Sequence, residues 1–194
     1  MKINKEELPK KILFIAMSIF LVSQSYNLLL NVSYTSGKSW GYLFLAAWII
    51  TLFITGIFAF AVFALPVERL LPKSYYTVRQ PKQLKKWCKT LKIEWFRKAL
   101  LATLWRSKSQ RDKYFNGRLD GIENLELQSK KSEFGHILPF IIINLVCVYF
   151  LIFGYFRLTL LTLIINIIGN FYPVLLQRHH RMRIAILKRR YKKK

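Results

Sequence analysis

The sequence predicts an all-α membrane protein: four transmembrane helices with an amphipathic, interfacial cytoplasmic loop. Three observations predict it. First, the apolar residues, 53% of 194, are gathered into four blocks, each of about 20 residues, the length that spans about 30 Å of hydrocarbon as helix. Second, the basic residues are distributed unevenly. Of 32 Lys and Arg, 4 precede the first block, 17 lie between Pro66 and His136, and 9 follow Leu176, leaving only Lys38 and Arg157 for the two short connections. This is the positive-inside pattern, and it places both termini and the large loop in the cytoplasm, with the chain multi-pass in the cytoplasmic (inner) membrane. Third, the loop between the second and third blocks carries tryptophans and lysines at helical spacing. A net charge of +23 would also suit nucleic acid. Its confinement to loops beside apolar blocks assigns it to a membrane surface instead, and no nucleic-acid partner is expected.

The elements follow in order, within one membrane domain over 1–194. Residues 1–11 are charged and precede the first span, about 12–32. With Ser23-Gln24-Ser25 this start resembles a signal peptide ending in a small-x-small cleavage site. Apolar character resumes at Leu28–Leu30, so an uncleaved span is expected; cleavage would leave the later topology unchanged. A short polar turn leads to the second span, about 42–65, with Trp40, Tyr42 and Trp48 near an interface and Pro66 marking the end. The cytoplasmic loop, 66–136, is too short and too basic for a globular domain. Within it, Leu84 to Trp105 has helical periodicity: Leu84, Trp87, Leu91, Trp95, Ala99 and Leu100 on one face, Lys85, Lys86, Lys89, Lys92, Arg97 and Lys98 on the other. Such a helix lies either in the headgroup plane or on the protein's own spans. An Asn116-Gly117 turn follows. The third and fourth spans, about 137–156 and 158–177, flank Arg157 and form a tight antiparallel hairpin. The tail, 178–194, is basic and suits anionic headgroups. Cys88 and Cys147 sit in no disulfide or metal spacing.

Polar residues inside the apolar blocks carry the functional signal. Glu133 and His136 stand three apart where the third span begins and share a helix face, which continues inward to Phe140 and Asn144. On the fourth span Thr162, Asn166, Asn170, Pro173 and Gln177 form one polar stripe. Groups of this kind face a bundle interior, because in lipid their hydrogen bonds would go unmade. Asn144 and Asn166 are expected to meet and pair, and Asn170 to face Glu133 and His136, giving a pocket open to the cytoplasm. The alternative is interhelical hydrogen bonding that only holds the hairpin together. A helix start favours a carboxylate and disfavours an imidazolium, which suits His136 as a general base. Glu133 would orient His136 or accept a substrate hydroxyl, and Arg178 and Arg181 would hold an anionic donor. No Ser or Cys stands out as a nucleophile, so direct transfer is expected. Glu-x-x-His also occurs in di-iron bundles, but those need a second copy and further carboxylates. His179-His180 has no partner set, and no metal or tightly bound cofactor is expected.

Ser132-Glu133-Phe134-Gly135-His136 before an apolar span, Asn170-Phe171-Tyr172-Pro173, and a Gln-Arg-x-x-Arg-x-Arg run over 177–183 together give a recognisable order. The chain resembles the glycosyl-4,4'-diaponeurosporenoate acyltransferase family, small bacterial membrane proteins of staphyloxanthin-type carotenoid synthesis. The resemblance covers about Trp95 to Arg183, including Phe115-Asn116-Gly117-Arg118. It implies transfer of a fatty acyl group onto a hydroxyl of a glycosylated carotenoid or related lipid or glycolipid, from acyl-CoA or a similar donor, within membrane lipid. Glu133, His136, Asn170, Gln177 and Arg178 fall on its motif positions. The expected site is therefore catalytic His136 and Glu133, with Asn170, Tyr172, Gln177, Arg178 and Arg181 binding substrate. The family pattern continues Asn-Arg-Pro after Gln-Arg, whereas this chain reads His179-His180-Arg181-Met182, with His180 and Met182 departing. Two other readings compete: a non-catalytic membrane subunit whose polar stripes bind a lipid or a partner helix, and another lipid-modifying transferase such as a methyltransferase.

Overall fold

The computed structural model describes residues 7–103 and 119–191; the expected Asn116-Gly117 turn and the end of the loop helix at Trp105 lie outside them. Every regular element among the described residues is helical. Four helices are long and apolar enough to cross a membrane, as expected. The contacts gather into two compact units, 1–67 with 134–171 and 68–133 with 172–194.

The first unit opens with helices α1 (Leu8–Leu30) and α2 (Trp40–Ala64). The turn between them uses Gly37 at φ 71°, a left-handed conformation that glycine adopts without penalty. Ser39 caps α2, its hydroxyl accepting from the Tyr42 amide at 3.4 Å. Leu65 is extended, as a residue before proline must be. The helices pack closely: a Cβ on Gly56 would lie 2.6 Å from Leu21, and Ser18 donates to the Ile57 carbonyl at 2.9 Å. α1 leaves Ile12, Leu13, Ile19 and Phe20 exposed, which fits a helix bathed in lipid rather than water.

The core of this unit joins Leu43, Ala47, Ile50 and Ile54 of α2 to Ile143, Cys147 and Phe150 of helix α6 (Leu119–Ile152) and Leu158 of α7 (Phe156–Asn166). The α6–α7 turn carries Gly154 at φ 77°, and Arg157 sits 5.6 Å from the Trp40 ring. A wide π-turn, Ile167–Phe171, follows α7.

The second unit holds α3 (Lys73–Tyr76), α4 (Pro81–Thr90), α5 (Ile93–Thr103), the Leu119–Glu133 end of α6, and α8 (Tyr172–Tyr191). Two expectations are corrected here. The amphipathic stretch from Leu84 is not one helix: it breaks at Leu91–Lys92, where Lys92 takes φ 51°. Cys88 and Ile93 turn inward while Trp87 and Trp95 stay exposed. Residues 119–136 are not loop but helix, continuous with the third span. Buried Ile122, Ser129 and Glu133 share one face, and a Glu126–Lys130 ion pair at 2.6 Å supports the other. At about 1.5 Å per residue the 34-residue α6 is about 51 Å long, well beyond the hydrocarbon thickness.

Candidate functional site

The predicted site residues fall into two clusters, one in each unit. In the first, His136 on α6 is half-buried and its Nδ1 lies 3.1 Å from Asn170 Oδ1. Asn170 stands in the π-turn, fully buried. Its amide also meets Thr55 Oγ1 of α2 and Asn166 Oδ1 of α7, each at 3.0 Å from Nδ2.

These bonds fix a direction. The Phe140 carbonyl can only accept, and it takes Asn166 Nδ2 at 3.1 Å. Asn166 therefore presents its oxygen to Asn170 Nδ2, and Asn170 in turn presents its oxygen to His136. The hydrogen between them must belong to His136 Nδ1, which leaves Nε2 as the basic nitrogen. A backbone carbonyl thus dictates a histidine tautomer through two amides.

A proline stands just beyond the π-turn. Pro173 has no N–H to give the carbonyl four residues before it, that of Gly169. The Gly169 backbone lies near the His136 ring. Wide turns of this kind concentrate at functional sites. The expected pairing of Asn144 with Asn166 is not found. The Asn144 amide donates to the Phe140 carbonyl in its own helix at 2.7 Å, the acceptor that Asn166 also uses.

In the second unit Glu133 is fully buried with both oxygens engaged. Oε1 accepts from Arg178 Nε at 3.0 Å, and Oε2 pairs with Arg181. Arg181, 5% exposed at its side chain, also donates from Nε to the Tyr76 carbonyl at 3.1 Å. The two guanidiniums lie over tyrosine rings, Arg178 at 4.9 Å from Tyr75 and Arg181 at 5.3 Å from Tyr76. Burial, and then the Glu133 charge, push the Tyr76 phenol up to about 12 and raise that of Tyr75. Gln177 donates to Ser132 Oγ at 3.1 Å and receives the Ser129 hydroxyl on its carbonyl at 3.2 Å. Tyr172 meets Phe96 edge-on at 5.4 Å.

The partner of His136 is thus Asn170, not Glu133. A carboxylate next to two arginines is drawn to them, because a charge–charge bond outweighs one to a neutral ring. Sequence reasoning missed Thr55, although with Thr51 it is one of two hydroxyls one helical turn apart in an otherwise apolar span. It also missed Tyr75 and Tyr76, whose adjacency in a basic loop was the only signal.

Four helices among the described residues are long and apolar enough to cross a membrane, as in a membrane protein. The model of the glycosyl-4,4'-diaponeurosporenoate acyltransferase family matches residues 72–190, well over half of the chain, and the chain belongs to that family. It is an acyltransferase of carotenoid biosynthesis. No curated protein and no solved structure matches the chain at a significant level.

Proposed function

We propose that His136 is the general base of this acyltransferase and that the acceptor is a hydroxyl of a glycosylated carotenoid or related glycolipid. The donor is an acyl thioester such as acyl-CoA. His136 Nε2 takes the hydroxyl proton as the oxygen attacks the thioester carbonyl. The new C–O bond forms, the C–S bond breaks, and the proton passes to the departing thiolate. Product ester and free thiol balance the reaction without a covalent acyl-enzyme.

The observation that carries this reading is the defined His136 tautomer. Asn170 accepts at Nδ1, which leaves Nε2 to offer its lone pair to a proton. Glu133 serves by holding Arg178 and Arg181 in place. The basic loop and tail support a site on the cytoplasmic side of the inner membrane, with both termini in the cytoplasm.

Lipid mass spectrometry of cells supplying the glycosylated carotenoid tests it. His136→Ala should lower formation of the acylated product about 10²–10⁴-fold at equal protein level, the usual worth of a positioned general base. Unchanged acylation would exclude the role.

A further inference from the structure

We infer that a cleft in the second unit, walled by α4 and Arg178, binds a phosphate-bearing ligand. The cleft encloses about 630 Å³, and its lining includes Tyr75, Arg79, Gln80, Gln83, Trp87 and Arg178, with no Asp or Glu among the lining residues.

The charge balance points to an anion. Glu133 pairs with both Arg178 and Arg181, so one carboxylate faces two guanidiniums and one positive charge remains over. Arg79 adds another: it is exposed and pairs with no carboxylate among the described residues. The cleft thus holds two cations whose charge the protein does not fully cancel.

The donors are arranged as well as charged. Arg178 is held at Nε by Glu133 and beneath by the Tyr75 ring, so little of its freedom is left to lose on binding. Gln80 and Gln83 offer neutral amide donors. α4 starts at Pro81 with no side-chain cap on its first-turn amides, which adds a favourable end of a helix dipole to the wall. Trp87 keeps 54% of its surface exposed and supplies a flat apolar face. Forked guanidiniums match phosphate oxygens two at a time, and a planar ring beside them suits a base or the apolar neighbour of a phosphate.

Two sources share this chemistry: the phosphates of a nucleotide thioester and the headgroup of an anionic phospholipid. As the donor's site, the first rests on the acyl-transfer reading above; phosphate binding itself does not.

The test uses the full chain in lipid nanodiscs. In phosphatidylcholine discs, coenzyme A is titrated and followed by thermophoresis. In discs containing phosphatidylglycerol, native mass spectrometry counts the phospholipid retained. Saturable coenzyme A binding that Arg79→Gln weakens about tenfold, the worth of one charge-assisted contact, supports the site and names a soluble source. Phosphatidylglycerol retention lost in the same variant supports it and names the lipid. Arg178→Gln should do at least as much. Because that change also strips a buried carboxylate and could unfold the chain, the exposed Arg79 keeps the test decisive. Binding in neither arm, or binding indifferent to Arg79→Gln, overturns the inference. Binding is read without turnover, so acylation that persists while binding fails refutes this site alone. Intact binding without acylation refutes only the transferase reading.

Discussion

Around His136 the polar partners among the described residues are neutral: two side-chain amides, a hydroxyl and a backbone carbonyl. At Glu133 a carboxylate meets two guanidiniums, backed by tyrosine rings. The contrast follows from what each medium tolerates. Deep in an apolar bundle an unpaired charge costs several kcal/mol, so order there is carried by hydrogen bonds whose direction is fixed. In the unit that holds the basic loop and tail, charges pair instead, and the second arginine offsets the desolvation that the carboxylate suffers.

The comparison can be broken from the charged side first. Glu133→Ala leaves two arginines without their shared anion, one of them nearly fully buried. Removing one partner of a buried pair costs about 3–5 kcal/mol, so thermal unfolding in detergent should show a large drop in midpoint and poor membrane yield. A variant as stable as the parent would mean that the arginines find other partners. The neutral side should yield less. Thr55→Val removes one hydroxyl from the Asn170 amide and should cost about 1 kcal/mol, while Thr55→Ser restores it. If Asn170 sets the histidine tautomer, acylation falls in the valine variant and returns with serine. Equal activity in both would detach Thr55 from the site.

The smallest effect is a titration. The Tyr76 phenol is raised from its ordinary value of 10 to about 12, first by burial and then by Glu133. The fold therefore favours the neutral phenol. That contribution is whole below about pH 10 and is lost as pH climbs through about 12. Melting curves across this window should fall more steeply for the parent than for Tyr76→Phe, and the phenolate absorbance assigned by difference should emerge near the upper end. A Tyr76 signal at pH 10 would contradict its burial against Arg181.

The spans were legible in the sequence because lipid leaves only one signature, a long apolar run between basic loops. Their ends were less so. Residues 119–136 read as loop because Gly121 and the Lys130-Lys131 pair look polar and irregular, yet the helix buries Ile122, Ser129 and Glu133 along one line. The break at Lys92 leaves no proline or glycine to mark it. At the site, His136, Asn170 and Arg178 stood out as polar groups beside apolar runs. What periodicity could not supply was the choice of partners. An i, i+3 pair on one helix suggested that Glu133 serves His136, but sequence spacing does not weigh an amide against two guanidiniums brought in from 45 and 48 residues away.

Pro173 has a consequence of its own. A proline nitrogen carries no hydrogen in any conformation, so the Gly169 carbonyl is kept open by covalent structure and not by a side chain that can rotate away. Thermal opening of the helix cannot close it, and neither pH nor salt acts on it. Replacing Pro173 by alanine would hand the carbonyl a main-chain donor again and let the wide turn relax to an ordinary one.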